Sequence, residues 1–87
     1  MKRRHAMRIP EGEAVPHDVI SLQAKNGWSL IQAWREYLEI TQAEMATRLE
    51  VRQTTYANME GPDARPHKAA RERIAQALGI SLDQLDD

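Results

Sequence analysis

The second half of the chain carries Arg48, Arg52, Arg65, His67, Lys68, Arg71 and Arg73, and among them stand the neutral side chains Gln53, Thr54, Thr55 and Asn58. Arginine and lysine hold anions, while amides and hydroxyls both donate and accept hydrogen bonds. Recognition of an anionic partner by a local patch is the chemistry these types suit. Net charge is −1, so the whole chain does not attract a polyanion; "MKRRHAMR" is basic and "DQLDD" acidic. An enzyme needs a different constellation. The sequence has no glycine-rich phosphate loop, no HExxH, no cysteine, and no serine in a strand–turn–helix elbow. Glu36, Glu39 and Glu44 are scattered where caps and surfaces use them. His67 lies far along the chain from His5 and His17, so the histidines do not form a metal set. The expectation is a protein without catalysis, cofactor or metal.

These residues must be positioned by one small domain, because the chain has 87 residues and 41% hydrophobic content. With no phenylalanine and only two Trp and two Tyr, Leu, Ile, Met and Ala at helical spacing must supply most of the core. The lack of cysteine excludes a disulfide framework and fits a reducing compartment. No apolar run approaches the roughly 20 residues of a membrane span, and the basic start lacks the apolar stretch of a signal peptide. A soluble cytoplasmic protein is expected.

"MKRRHAMRIPEGEAVP" has no apolar period and reads as an extended arm. Pro16 at a first helical position, then Val19, Ile20, Leu22 and Ala24, predict a short helix stopped by Gly27. Ser29 and Gln32 form a capping box for a helix with Leu30, Ile31, Trp34 and Leu38 inward, ending near Glu39. Thr41 and Glu44 form a second box opening "QAEMATRL", whose Met45, Ala46 and Leu49 face the core. The helical period resumes in "QTTYANME" through Tyr56 and Met59, and Gly61-Pro62 stops it. "HKAARERIAQAL" stops at Gly79, and "SLDQL" makes a closing turn capped by Ser81. No strand is expected. Two short helices joined by about three residues cross steeply and expose the start of the second, which is a helix-turn-helix. Its outer side is Gln53, Thr54, Ala57 and Asn58.

On "TQAEMATRLEVRQTTYANME" and "ERIAQALGISLDQL", residues 29–85 resemble the Xre/Cro-type helix-turn-helix family that includes the lambdoid phage repressors. The resemblance implies an all-α fold, a five-helix lambda-repressor-like domain over 28–87, with an N-terminal arm and short extra helix over 1–27, and a homodimer on an operator in double-stranded DNA that is an inverted repeat. It departs in one place: Glu50 stands where the family commonly has a turn glycine, which costs about 1 to 2 kcal/mol if that residue is left-handed. By resemblance, Gln42 reaches a phosphate; Arg52, Gln53, Thr54, Thr55 and Asn58 face the bases from the recognition helix; and Arg65, His67 and Lys68 lie over the phosphate backbone. Arg35 and Glu60 match family positions that pair as ions between the first core helix and the end of the recognition helix.

The segment "IPEGEAVPHDVISLQAKNGWSLIQAWREYLEITQAEMA" is similar to the start of HigA-type antitoxins of RelE/ParE-like toxins. That implies toxin neutralisation and autorepression. Ile9, Val15, Val19, Ile20 and Leu22 are then the toxin contact, with a structural brace or a dimer seam as the other destinations for the same side chains. The alternative readings are a phage-type repressor without a toxin and a protein-interaction module that does not bind DNA.

Overall fold

A computed structural model describes residues 15–85, and within them six helices follow one another without a strand: α1 (His17–Asn26), α2 (Leu30–Tyr37), α3 (Gln42–Leu49), α4 (Gln53–Met59), α5 (Lys68–Leu78) and α6 (Leu82–Leu85). The all-α expectation holds for these residues. The expected arm up to residue 14, Ile9 included, lies outside them.

The helix ends follow from local chemistry. Pro16, expected at the first helical position, is instead the N-cap of α1, which begins one residue later at His17, and Gly27 closes the helix at φ 70° with its N–H on the Gln23 carbonyl. Ser29 Oγ accepts the Gln32 N–H at 3.1 Å to start α2. α2 stops at Tyr37, short of the expected Glu39, because Glu39 itself turns left-handed at φ 61°. Thr41 Oγ1 accepts the Glu44 N–H at 3.0 Å, while the Glu44 carboxylate accepts from Arg48 Nε one turn on, at 3.0 Å, so only half of the expected box forms.

The join between α3 and α4 is a left-handed residue. Glu50 sits at φ 59°, ψ 43°, and its N–H and that of Val51 return to carbonyls of the last turn of α3. This ends α3 without glycine or proline. The strain is the one expected for a side chain in that region, so Glu50→Gly should raise unfolding stability by about 1 kcal/mol. Urea denaturation with an unchanged slope checks it; a lower midpoint for the variant would mean that the Glu50 side chain contributes something the turn geometry does not show.

One core gathers all six helices. Val19, Leu30, Ile31, Trp34, Met45, Leu49, Tyr56, Ile74, Leu78 and Leu85 are buried together. Trp34 at its centre is fully enclosed, meets the Tyr37 ring edge-on at 5.8 Å, and donates Nε1–H to the Gln84 carbonyl at 2.8 Å, which ties α2 to α6. Two arginines clasp α3 and α5: Arg48 donates to the Ala77 carbonyl at 2.7 Å and Arg73 to the Leu49 carbonyl at 2.8 Å, each at the C-terminal end of the other helix. Val19 is fully buried in this core, with Val15 and Leu22 packed against it. The core is therefore continuous across the expected boundary between residues 27 and 28, with α1 packed against α2.

Candidate nucleic-acid interface

α4 is short, and its two sides differ sharply. Tyr56 is fully buried, Ala57 and Met59 are half-buried, and Gln53, Thr54, Thr55 and Asn58 are exposed, as is Arg52 at the N-cap. The helical period explains the division: at about 100° per residue, 59 stays near the side of 56, whereas 54 and 58 lie nearly opposite it and 55 lies to one flank, so a helix anchored by one aromatic ring turns these polar residues outward. Arg52, Gln53, Thr54, Thr55 and Asn58 are thus brought onto one helix and its start. Their side chains have no hydrogen bond or ion pair with other described residues.

The direction of α4 is set at its C-terminal end by Glu60. Its carboxylate accepts from Arg35 Nε at 2.8 Å and Nη2 at 3.0 Å, a two-pronged contact with the middle of α2. Gln42 Nε2, at the start of α3, donates to the same Oε1 at 2.8 Å. The Glu60 carbonyl accepts from Ser29 Oγ at 2.8 Å, and Arg35 Nη1 donates to the Ile40 carbonyl at 2.8 Å. One residue thereby holds the end of α4 to the start of α2, the middle of α2 and the start of α3. Arg35 and Glu60 are 6% and 2% exposed, so water screens their attraction little.

Burial by itself would push the Glu60 carboxyl up, but the hydrogen bonds from Arg35 and Gln42, the nearby Tyr56 hydroxyl and the Arg35 charge outweigh it and hold it below the usual carboxylate range. Burial would lower Arg35, and Glu60 more than reverses that. Tyr56 lies in the same field: burial first, then Glu60, pushes its phenol far above the ordinary value. Its hydroxyl is close to Glu60 in charge but lacks hydrogen-bonding geometry, and it is a buried polar atom without a partner among the described residues.

The other expected contacts divide. Arg65 and Lys68 are exposed, Arg65 donating to the adjacent Ala64 carbonyl. His67 is exposed but serves as the N-cap of α5, its Nδ1 accepting the Ala70 N–H at 3.4 Å. Gln42 is half-buried, and its amide is turned inward to Glu60. Arg48 and Arg73 are committed to carbonyls, and Arg71 donates to the Pro66 carbonyl at 3.0 Å. Beside the loop after α4 lies an open groove of about 740 Å³, lined by Trp28, Ile31, Pro62, Arg65 and Leu85 among others.

Of the side chains expected to meet a toxin, Val19 is fully enclosed in the core. Val15 and Leu22 pack against that core, and Ile20 is 41% exposed. Sequence reasoning missed Ser29 and Tyr56 as members of the Glu60 cluster. Ser29 reads only as a cap and Tyr56 only as core, and nothing local in the spacing signals their second contact. Compared with protein-family models, curated proteins and solved structures, the chain shows no match.

Proposed function

We propose that the chain is a sequence-specific DNA-binding protein, with α3 and α4 as a helix-turn-helix and α4 as the recognition helix. The observation that carries this reading is the side of α4 formed by Arg52, Gln53, Thr54, Thr55 and Asn58: five exposed hydrogen-bonding side chains with no partner among the described residues, on a helix anchored by a fully buried ring. Arginine can bridge guanine O6 and N7, and glutamine or asparagine can do the same for adenine N6 and N7. Arg65 and Lys68 stand further along the chain as cations for phosphate. The resemblance to Xre/Cro-type proteins supports the same docking.

One such helix reads too few base pairs for useful specificity, so the reading includes a homodimer on an inverted repeat, with half-site centres about 34 Å apart. It also includes an antitoxin role, supported by the resemblance of the segment around α1 and by the outward side chain of Ile20. The toxin contact is then limited to the open side of α1 and what precedes it. Co-expression with a small RelE/ParE-like toxin encoded beside this chain tests that part; neutralisation should weaken in Ile20→Asp, and unaltered neutralisation removes α1 from the contact.

The base and phosphate roles separate on a randomised operator library. Arg52→Ala or Gln53→Ala should cost about 1 to 3 kcal/mol and relax preference at one position. Lys68→Ala should weaken all sequences alike and reduce the salt slope by about one. The same uniform loss in all three variants would contradict the assignment.

A further inference from the structure

Glu60 Oε1 holds two donors, Arg35 Nη2 at 3.0 Å and Gln42 Nε2 at 2.8 Å. A carboxylate oxygen offers about two lone-pair sites, so Oε1 is filled. The Tyr56 hydroxyl is buried beside them and hydrogen-bonded to nothing among the described residues. A buried hydroxyl in a close-packed core ordinarily finds an acceptor, and an exception asks for a reason. The reason here is competition: the Glu60 carboxylate, whose field reaches the Tyr56 hydroxyl, already takes Arg35 and Gln42 on Oε1 and Arg35 again on Oε2.

The donors differ in what they can reach. Arg35 is enclosed and also bound to the Ile40 carbonyl, and Tyr56 has no access to solvent. Gln42 is half-buried at the first position of α3, next to the exposed Thr41 and Ala43. Only Gln42 can leave the cluster for a ligand.

We infer that Gln42 and Tyr56 exchange as donors to Glu60: when the Gln42 amide turns outward to a DNA phosphate, the Tyr56 hydroxyl donates to the vacated carboxylate oxygen. The inference rests on the reading of Gln42 as a phosphate contact. Without the exchange, the turn outward would leave a buried carboxylate short of a donor, which is costly in a medium of low dielectric. With it, the hydroxyl that is unpartnered in the free protein becomes satisfied in the complex. Tyr56 is then a positioning residue, adding to DNA affinity without touching DNA, and the end of α4 stays fixed while the start of α3 adapts.

Four proteins test it: the native chain, Gln42→Ala, Tyr56→Phe and the double variant, each measured for unfolding stability and for affinity to a selected operator. With Gln42 present, Tyr56→Phe should leave the urea midpoint almost unchanged, because the hydroxyl bonds nothing in the free protein, and should weaken DNA binding about tenfold. With Gln42 replaced by Ala, Tyr56 holds Glu60 at all times; Tyr56→Phe should now lower the midpoint and leave affinity unchanged. The effect moves from binding to stability. Equal effects of Tyr56→Phe in both backgrounds would overturn the exchange and make the hydroxyl a plain part of the core. If the native chain binds no DNA, the proposed function fails, and the stability arm still decides: a midpoint loss confined to the Gln42→Ala background supports the exchange, and a loss independent of background overturns it.

Discussion

Glu60→Gln is expected to lower the melting temperature by about 15 °C or more, a large effect for a change that removes one charge and keeps the shape. The substitution leaves the Arg35 guanidinium enclosed with no anion among the described residues except the exposed Glu36 carboxylate at 3.1 Å. Stranding one partner of a buried pair costs about 3 to 5 kcal/mol. Replacing both partners with apolar residues, Arg35→Met with Glu60→Leu, should recover much of the loss, since desolvation of the pair disappears with it. A double-mutant cycle therefore should show coupling of a few kcal/mol, and coupling near zero would mean that the two groups act independently.

The same pair predicts a pH dependence with a definite sign. The folded Glu60 carboxyl titrates below its unfolded value of about 4.3, so its contribution is complete above that value and is lost as the pH falls through the folded pKa. The stability gap between the native chain and Glu60→Gln should be widest near neutral pH and should narrow in acid below about pH 4. A gap that widens on acidification would contradict the assigned direction.

A chain starting at Asn26 should lose cooperative folding. α1 is then gone, and with it the burial of Val19 and the packing of Val15 and Leu22 on the core. Three aliphatic side chains removed from water contribute about 5 kcal/mol, and a domain of this size has a total of only about 4 to 13 kcal/mol. The remaining helices also lose the cover over one side of α2. Circular dichroism and a thermal melt check the outcome: a broad or absent transition is expected. A sharp transition at the native temperature would show that α1 is dispensable, and would return its apolar side chains to a partner.

Capping chemistry made most helix boundaries legible in the sequence. Ser29, Thr41, Gly27 and Gly79 mark ends that the structure places within a residue or two, because a cap is a local hydrogen bond or a local backbone conformation and both are written in single residue types. Glu39 was not legible: a glutamate carries no mark of φ 61°, and α2 stops earlier than its apolar period alone suggests. α1 shows a different limit. Its apolar residues are visible in the sequence, but whether Val19 meets α2 or a partner depends on tertiary contact, which spacing does not encode. The polar side of α4 follows from helical period once Tyr56 is placed inward, whereas the inward turn of Gln42 follows from Glu60, a residue 18 positions away. His67 is a similar case, since its ring caps α5 in a place where the family resemblance suggests a neighbour of phosphate.

The measurement that bears most directly on the central reading is operator selection from random duplex DNA, followed by binding of the selected duplex across a range of salt. An inverted repeat with half-site centres about 34 Å apart, protected symmetrically, is expected, with log affinity falling linearly and steeply against log salt concentration. Enrichment of no sequence, or binding indifferent to salt, would contradict that reading.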